Sequence, residues 1–197
     1  MNNAIPAIAL ALSTVAIVFS AFVFAQTEPG REILGLPPVG YAVAKTDHLT
    51  FFYPNEDIVF VQNEESGSGA VGFWQRELYD RLIAEGDKQP VSDTMPFIGV
   101  WTEEKAGRTL EEFAIEDHGF GDEKKFADIE IFTDRDENFS YGYKMIEGKN
   151  VLWVYAHERF EITSYYFEDG EQVHVFYTLF SSDTNLELVE SMIETVK

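Results

Sequence analysis

The sequence predicts an α+β domain: an antiparallel sheet of about six or seven strands sandwiched by helices, preceded by one N-terminal hydrophobic helix. Three observations predict it. Short runs rich in β-branched and aromatic residues recur between residues 41 and 180, bounded by Gly, Pro, Asn and Asp. Stretches with apolar residues at helical spacing lie between and after them. Ahead of all of these, Ala4 to Ala25 runs for 22 residues without a charge.

That first stretch, AIPAIALALSTVAIVFSAFVFA, has only Ser13, Thr14 and Ser20 as polar side chains. As a helix it would extend about 30 Å, the thickness of a bilayer core. Residues 1–25 therefore read as a hydrophobic transmembrane anchor or signal segment. The absent basic n-region favours a retained anchor, whereas Val23-Phe24-Ala25 offers small residues before Gln26, as a cleaved signal would. Residues 26–40, QTEPGREILGLPPVG, read as a Pro/Gly tether.

Residues 41–197 form the acidic α+β body. Tyr41–Phe52 and Asp57–Gln62 read as strands around a Tyr-Pro-Asn-Glu turn. In Ala70–Glu85, Phe73, Trp74, Leu78, Leu82 and Ile83 fall on one side at helical spacing, which predicts a helix. Phe97–Thr102 is a short apolar strand. Thr109-Leu-Glu-Glu is a capping box opening a helix over Leu110–Asp117. Phe126–Thr133 and Asn138–Glu147 read as two further strands. Asp183 or Thr184 caps a last helix, whose apolar stripe is Leu186, Val189, Met192, Ile193 and Val196.

Before that helix lies the longest strand pair, Val151–Phe180. Asp169-Gly170 is a two-residue turn pair. With those two residues at the centre, Tyr166 faces Val173, Ser164 faces Val175 and Ile162 faces Tyr177 on one face, and Tyr165 lies beside His174 on the other. With 151–168 as one unbroken strand, the second face carries Trp153, Tyr155, Tyr165, Phe176 and Phe180, which is too aromatic for plain solvent contact. Either helices cover it as half of a sandwich core, or part of it stays open as a groove. These five residues are the candidate ligand or partner face.

In phrase and order the body resembles the PsbP/Mog1-type α-β-α sandwich. The likeness rests on HLTFFYPNEDIVFVQ at 48–62 as an opening hairpin, FIGVWTEE leading into TLEEFAIED, and YYFEDGEQVHVFYTLF before LELVESMIETVK. The segment 70–86 departs from the simplest form of that pattern. The resemblance implies an accessory or partner-binding module without an active site, and brings no residue with it.

Composition narrows the function classes. A hydrophobic share of 45% fills a core without staples. With no cysteine, disulfides and thiolate chemistry are excluded. A formal net charge of −21, all of it beyond residue 27, opposes nucleic acid and anionic lipid heads. Asp134, Asp136 and Asn138 have calcium-loop spacing, but Phe139 and Met145 stand where the loop needs glycine and a bidentate acid, so a hairpin turn fits better. The acidic loop 116–123 around His118 reads as a helix end. His48, His118, His157 and His174 show no zinc-pair spacing. There is no nucleophile elbow, Walker loop or dinucleotide fingerprint. No metal, cofactor or catalytic residue is assigned.

The expected function is thus a non-enzymatic binding or accessory domain, membrane-anchored through residues 4–25 on the extracytoplasmic side, or secreted if cleaved after Ala25. Its partners would be the membrane and a protein, or copies of itself, and no nucleic acid. Two alternatives stay open: a pilin-like subunit with the N-terminal helix in a filament core, and an extracytoplasmic hydrolase using scattered carboxylates.

Overall fold

The computed structural model describes residues 4–62, 70–84, 97–120, 125–126, 139–157 and 161–197. Within α1 (Ala4–Ala25) the side chains described are those of residues 14, 15 and 17–25. Among the residues so described, no helix is long and apolar enough to cross a membrane. The backbone of α1 is nevertheless helical for all 22 residues, and Ile17, Phe19 and Phe22 stand more than 60% exposed. The tether region contains a short helix, α2 (Glu28–Ile33). Thr27 caps it, accepting from Gly30 N at 3.2 Å and donating to Phe24 O at 2.7 Å. A Cβ on Gly30 would come within 1.9 Å of Phe24 O, so the α1–α2 corner is folded too tightly for any other residue.

Two sheets follow. β1 (Tyr41–Lys45) and β2 (Thr50–Pro54) pair as a separate hairpin. Then come β3 (Ile58–Gln62), β4 (Val71–Gln75), α3 (Arg76–Ala84), β5 (Ile98–Glu104), α4 (Leu110–Asp117), β6 (Phe139–Ile146), β7 (Lys149–His157), β8 (Glu161–Asp169), β9 (Gln172–Leu179) and α5 (Asp183–Glu194). The seven strands β3 to β9 form one antiparallel sheet in the order β3-β4-β5-β9-β8-β7-β6. The expected α+β sandwich is therefore the observed one.

Each face of the large sheet is covered. On one, the β1–β2 hairpin and α5 bury Phe51, Phe73, Phe176, Val189, Met192 and Ile193. On the other, α4 packs Phe113, Ala114 and Ile115 against Val154, Tyr166 and Val175. The α4 capping box is as expected, with Glu112 N bonded to Thr109 Oγ1 and Thr109 N to Glu112 Oε2.

The structure corrects four local expectations. Residues 41–52 are two strands, because Thr46 Oγ1 accepts from His48 N and Leu49 N and turns the chain. As a result β2 pairs with β1, and the opening hairpin expected between β2 and β3 does not form. The helix expected over Ala70–Glu85 begins only at Arg76. Phe73 and Trp74 are consecutive and both buried; a strand sends such neighbours to opposite faces, each of which is covered here. The cap of α5 is Ser182, which accepts from Asn185 N.

The fourth correction concerns the long strand pair and its register. The strand expected to run unbroken over 151–168 is two: β7 ends at His157, β8 begins at Glu161, and they pair antiparallel. β8 and β9 pair Asp169 with Gln172 and Tyr166 with Val175, so the turn centres on Gly170-Glu171. Gly170 has φ +62° and Glu171 has no positive φ, the pattern of a type II′ turn with glycine first. Every pair slides by two residues from the Asp169-Gly170 expectation. A slip of two preserves which face each side chain occupies. The strand expected over Phe126–Thr133 and the loop at 134–138 lie outside the described residues, apart from Phe126.

Candidate functional site

The register brings three of the five aromatic candidates to one place. Trp153 pairs with Tyr165, and Tyr155 with Thr163, all on the α5 side of the sheet. Alternation along β6 puts Ser140, Gly142 and Lys144 beside them. Leu186 and Glu190, one helical turn apart on α5, close the opposite wall. Together with Glu161 and Ser181 these groups line a cleft of 450 Å³, within the range of small-ligand sites.

The floor of the cleft is a shared acceptor. Glu190 Oε1 takes a bond from Lys144 Nζ and another from Tyr165 OH at 3.1 Å. Lys144 Nζ also lies 5.0 Å from the centre of the Tyr165 ring. Burial, and then the neighbouring Glu190 charge, push the Tyr165 hydroxyl well above its ordinary value. Tyr165 is thus a fixed hydrogen-bond donor at neutral pH, with no tendency to act as a base.

One wall is set by a glycine. A Cβ on Gly142 would meet the Trp153 ring at 3.0 Å, so the indole rests on bare β6 backbone. On the other side, Thr163 Oγ1 and Ser181 Oγ lie 2.7 Å apart. Ser181 reaches this position because Phe180, at φ +58°, turns the chain sharply out of β9. That conformation is uncommon for a bulky residue. Bonds from Phe180 N to Glu161 O and from Ser182 N and Asn185 Nδ2 to Phe180 O hold it in place.

The other two candidates do not join the cleft. Phe176 is completely buried, 5.2 Å from Phe51 and 6.0 Å from Phe167. Phe180 is 58% exposed beyond the end of β9. Sequence reasoning missed the polar half of the site. Its signals were the alternation Ser140-Gly142-Lys144, and Glu190 lying one turn from Leu186 beside the apolar stripe of α5.

Among the described residues no group of three or more His, Asp or Glu side chains could hold a metal ion. His174 is buried, with Nδ1 at 2.8 Å from Thr102 Oγ1, and does not line the cleft; it pairs with Phe167, two residues along β8 from Tyr165. The acidic residues of the 116–123 loop that are described include Asp117, whose Oδ2 accepts from Tyr166 OH at 2.6 Å. Burial raises the Asp117 carboxyl above its ordinary value, partly offset by that bond.

No protein-family model and no curated protein matches the sequence. Among solved structures the chain is similar to cyanobacterial PsbP (CyanoP) from Synechocystis sp. PCC 6803. The identity is 11% and the TM-score 0.44, over 80% of this chain and 92% of that one. It is also similar to a crystal structure from Bacteroides thetaiotaomicron VPI-5482, at 11% identity and TM-score 0.37. The match spans 80% of this chain and 47% of the Bacteroides chain. Likeness at this level concerns the arrangement of strands and helices, and brings no activity, ligand or partner to this chain.

Proposed function

We propose that the chain is a non-enzymatic binding or accessory domain whose ligand or partner contact is the cleft between α5 and strands β6 to β8. The observation that carries this reading is the composition of the cleft: an aromatic wall of Trp153 and Tyr155 over a floor of satisfied hydrogen-bonding groups. Lys144, Glu190 and Tyr165 are engaged with one another and tie α5 to the sheet, a role in holding shape rather than in moving protons. Residues 4–25 would attach the domain to a membrane on the extracytoplasmic side, or direct its secretion if cut after Ala25. The uncharged sequence of α1 and its exposed apolar side chains support attachment. The acidic body, repelled by anionic headgroups, would stand off the surface.

A photo-crosslinking side chain at Tyr155, with Met145 on the opposite face of β6 as control, tests the binding role in native cells. Crosslinks from position 155 and none from 145 are expected. Equal labelling from both positions would overturn the assignment of the cleft. Intact mass of the native protein tests attachment: a chain keeping residues 1–25 in the membrane fraction, or one starting at Gln26 in the medium, is expected. Recovery from the soluble cytosol alone would contradict it.

A further inference from the structure

We infer that the cleft takes an uncharged saccharide, an inference that rests on the cleft being the binding site. Three features of the cleft select for this class. First, the charges at its floor are already paired. Lys144 and Glu190 neutralise each other there, so an anion would have to break that pair to gain a cation of its own, and the one further lining charge, Glu161, sits at the exposed mouth, where an ion pair contributes little. The body's net charge of −21 further disfavours anions.

Second, donors and acceptors sit side by side. Lys144 Nζ is a donor, and Glu190 Oε2 takes part in neither of the floor bonds to Oε1. The Thr163–Ser181 hydroxyl pair, and Ser140 and Glu161 at the exposed mouth, extend the row. Adjacent ligand hydroxyls, each both donor and acceptor, match such a row. An apolar ligand would strip water from the donor and acceptor positions these groups leave open, which is costly.

Third, the wall is flat and preset. With Trp153 lying on Gly142, an apolar surface is bordered by the polar groups of β6 and β8. A pyranose has this same division, with C–H groups on one side and hydroxyls around the rim. The C–H face would stack on the aromatic wall while the rim hydroxyls reach Glu190, Lys144 and the hydroxyl pair. A wall already in position limits the ordering cost of binding.

The test is titration of the full chain, held in a detergent without sugar headgroups, with three sets of probes. These are neutral disaccharides and tetrasaccharides of glucose, galactose, mannose and N-acetylglucosamine; uronic-acid oligosaccharides; and short basic peptides. Saturable binding of at least one neutral saccharide is expected, weakened about ten-fold or more in Trp153→Ala. Glu190→Gln, which keeps an acceptor oxygen for Tyr165, separates loss of a ligand contact from loss of fold when its melting is followed in parallel. Binding of the charged probes alone, lost in Trp153→Ala, would overturn the saccharide while leaving the cleft as the binding site. Neutral-saccharide binding unchanged in both Trp153→Ala and Tyr155→Ala would overturn the inference and the cleft assignment together.

Discussion

The α5 side of the large sheet has two ends built from the same materials, and they differ in what lies over them. At the β3–β4–β5–β9 end, Phe51 from the β1–β2 hairpin drops between Phe73 and Phe176, with ring centres 6.0 and 5.2 Å away. All three are fully buried. At the β8–β7–β6 end, among the described residues, α5 is the element that leans over the strands, through Leu186 and Glu190, and the cleft lies beneath it. Trp153 and Phe176 lie in one cross-strand row through Tyr165, yet one is core and the other is wall. Aromatic content does not mark a site; the reach of the covering element does.

The largest expected effect is at the closed end. Phe176→Ala should lower unfolding free energy by about 3–5 kcal/mol, read by urea denaturation, because a packed aromatic cluster cannot collapse into the void. Trp153→Ala should cost less, about 1–2 kcal/mol, since the indole is only partly buried and packs at the edge of that core. Equal losses at the two positions would erase the distinction between the ends.

Glu190→Ala should cost about 2 kcal/mol, because it strands the hydroxyl of buried Tyr165 and frees Lys144 together. In a Tyr165→Phe background the same change should cost less. A double-mutant cycle with no coupling would remove the shared acceptor from the account.

The closed end should also carry a pH signature. Burial holds His174 below its ordinary value; nearby Asp169 opposes this and His48 adds to it. The folded state therefore favours neutral His174, and the unfolded chain binds the proton more readily. Stability from this group is full above the unfolded value near 6.5 and falls as pH drops through it. Denaturation midpoints at pH 7.5 and 5.5 should differ in that direction, and His174→Gln should reduce the difference. The smallest effect belongs to Gly142→Ala, a few tenths of a kcal/mol in stability, with a displaced Trp153 signal in near-UV circular dichroism.

Much of this arrangement was legible in the residues. Alternation puts Tyr165 and Phe176 on one face even with the turn set one residue early, because a slip of two keeps the face. Trp153 and Tyr155 share that face for another reason than the unbroken strand expected over 151–168: β7 and β8 are separate, and their register pairs odd-numbered residues with odd. The capping box fixed α4 to the residue. What failed was decided by contacts distant in sequence. Phe73 and Trp74 fit a helical pattern until both faces of the strand are seen to be covered. Nothing local separates Phe176 from Trp153, since the cover over Phe176 comes from Phe51, more than a hundred residues away. Phe180 ends β9 in a left-handed conformation that a phenylalanine does not announce, and so the strand appeared to continue.

The most direct measurement is the solvent exposure of the three indole N–H groups, one for each tryptophan of the chain. A soluble paramagnetic chelate added to the nitrogen-labelled protein broadens the resonances that water can reach. The account predicts strong broadening for Trp153 and none for Trp74, the buried reference, which is 3% exposed on the opposite face of the sheet. Equal protection of Trp153 and Trp74 would mean that the cleft is closed in solution, and would contradict the division of this sheet into a sealed end and an open one.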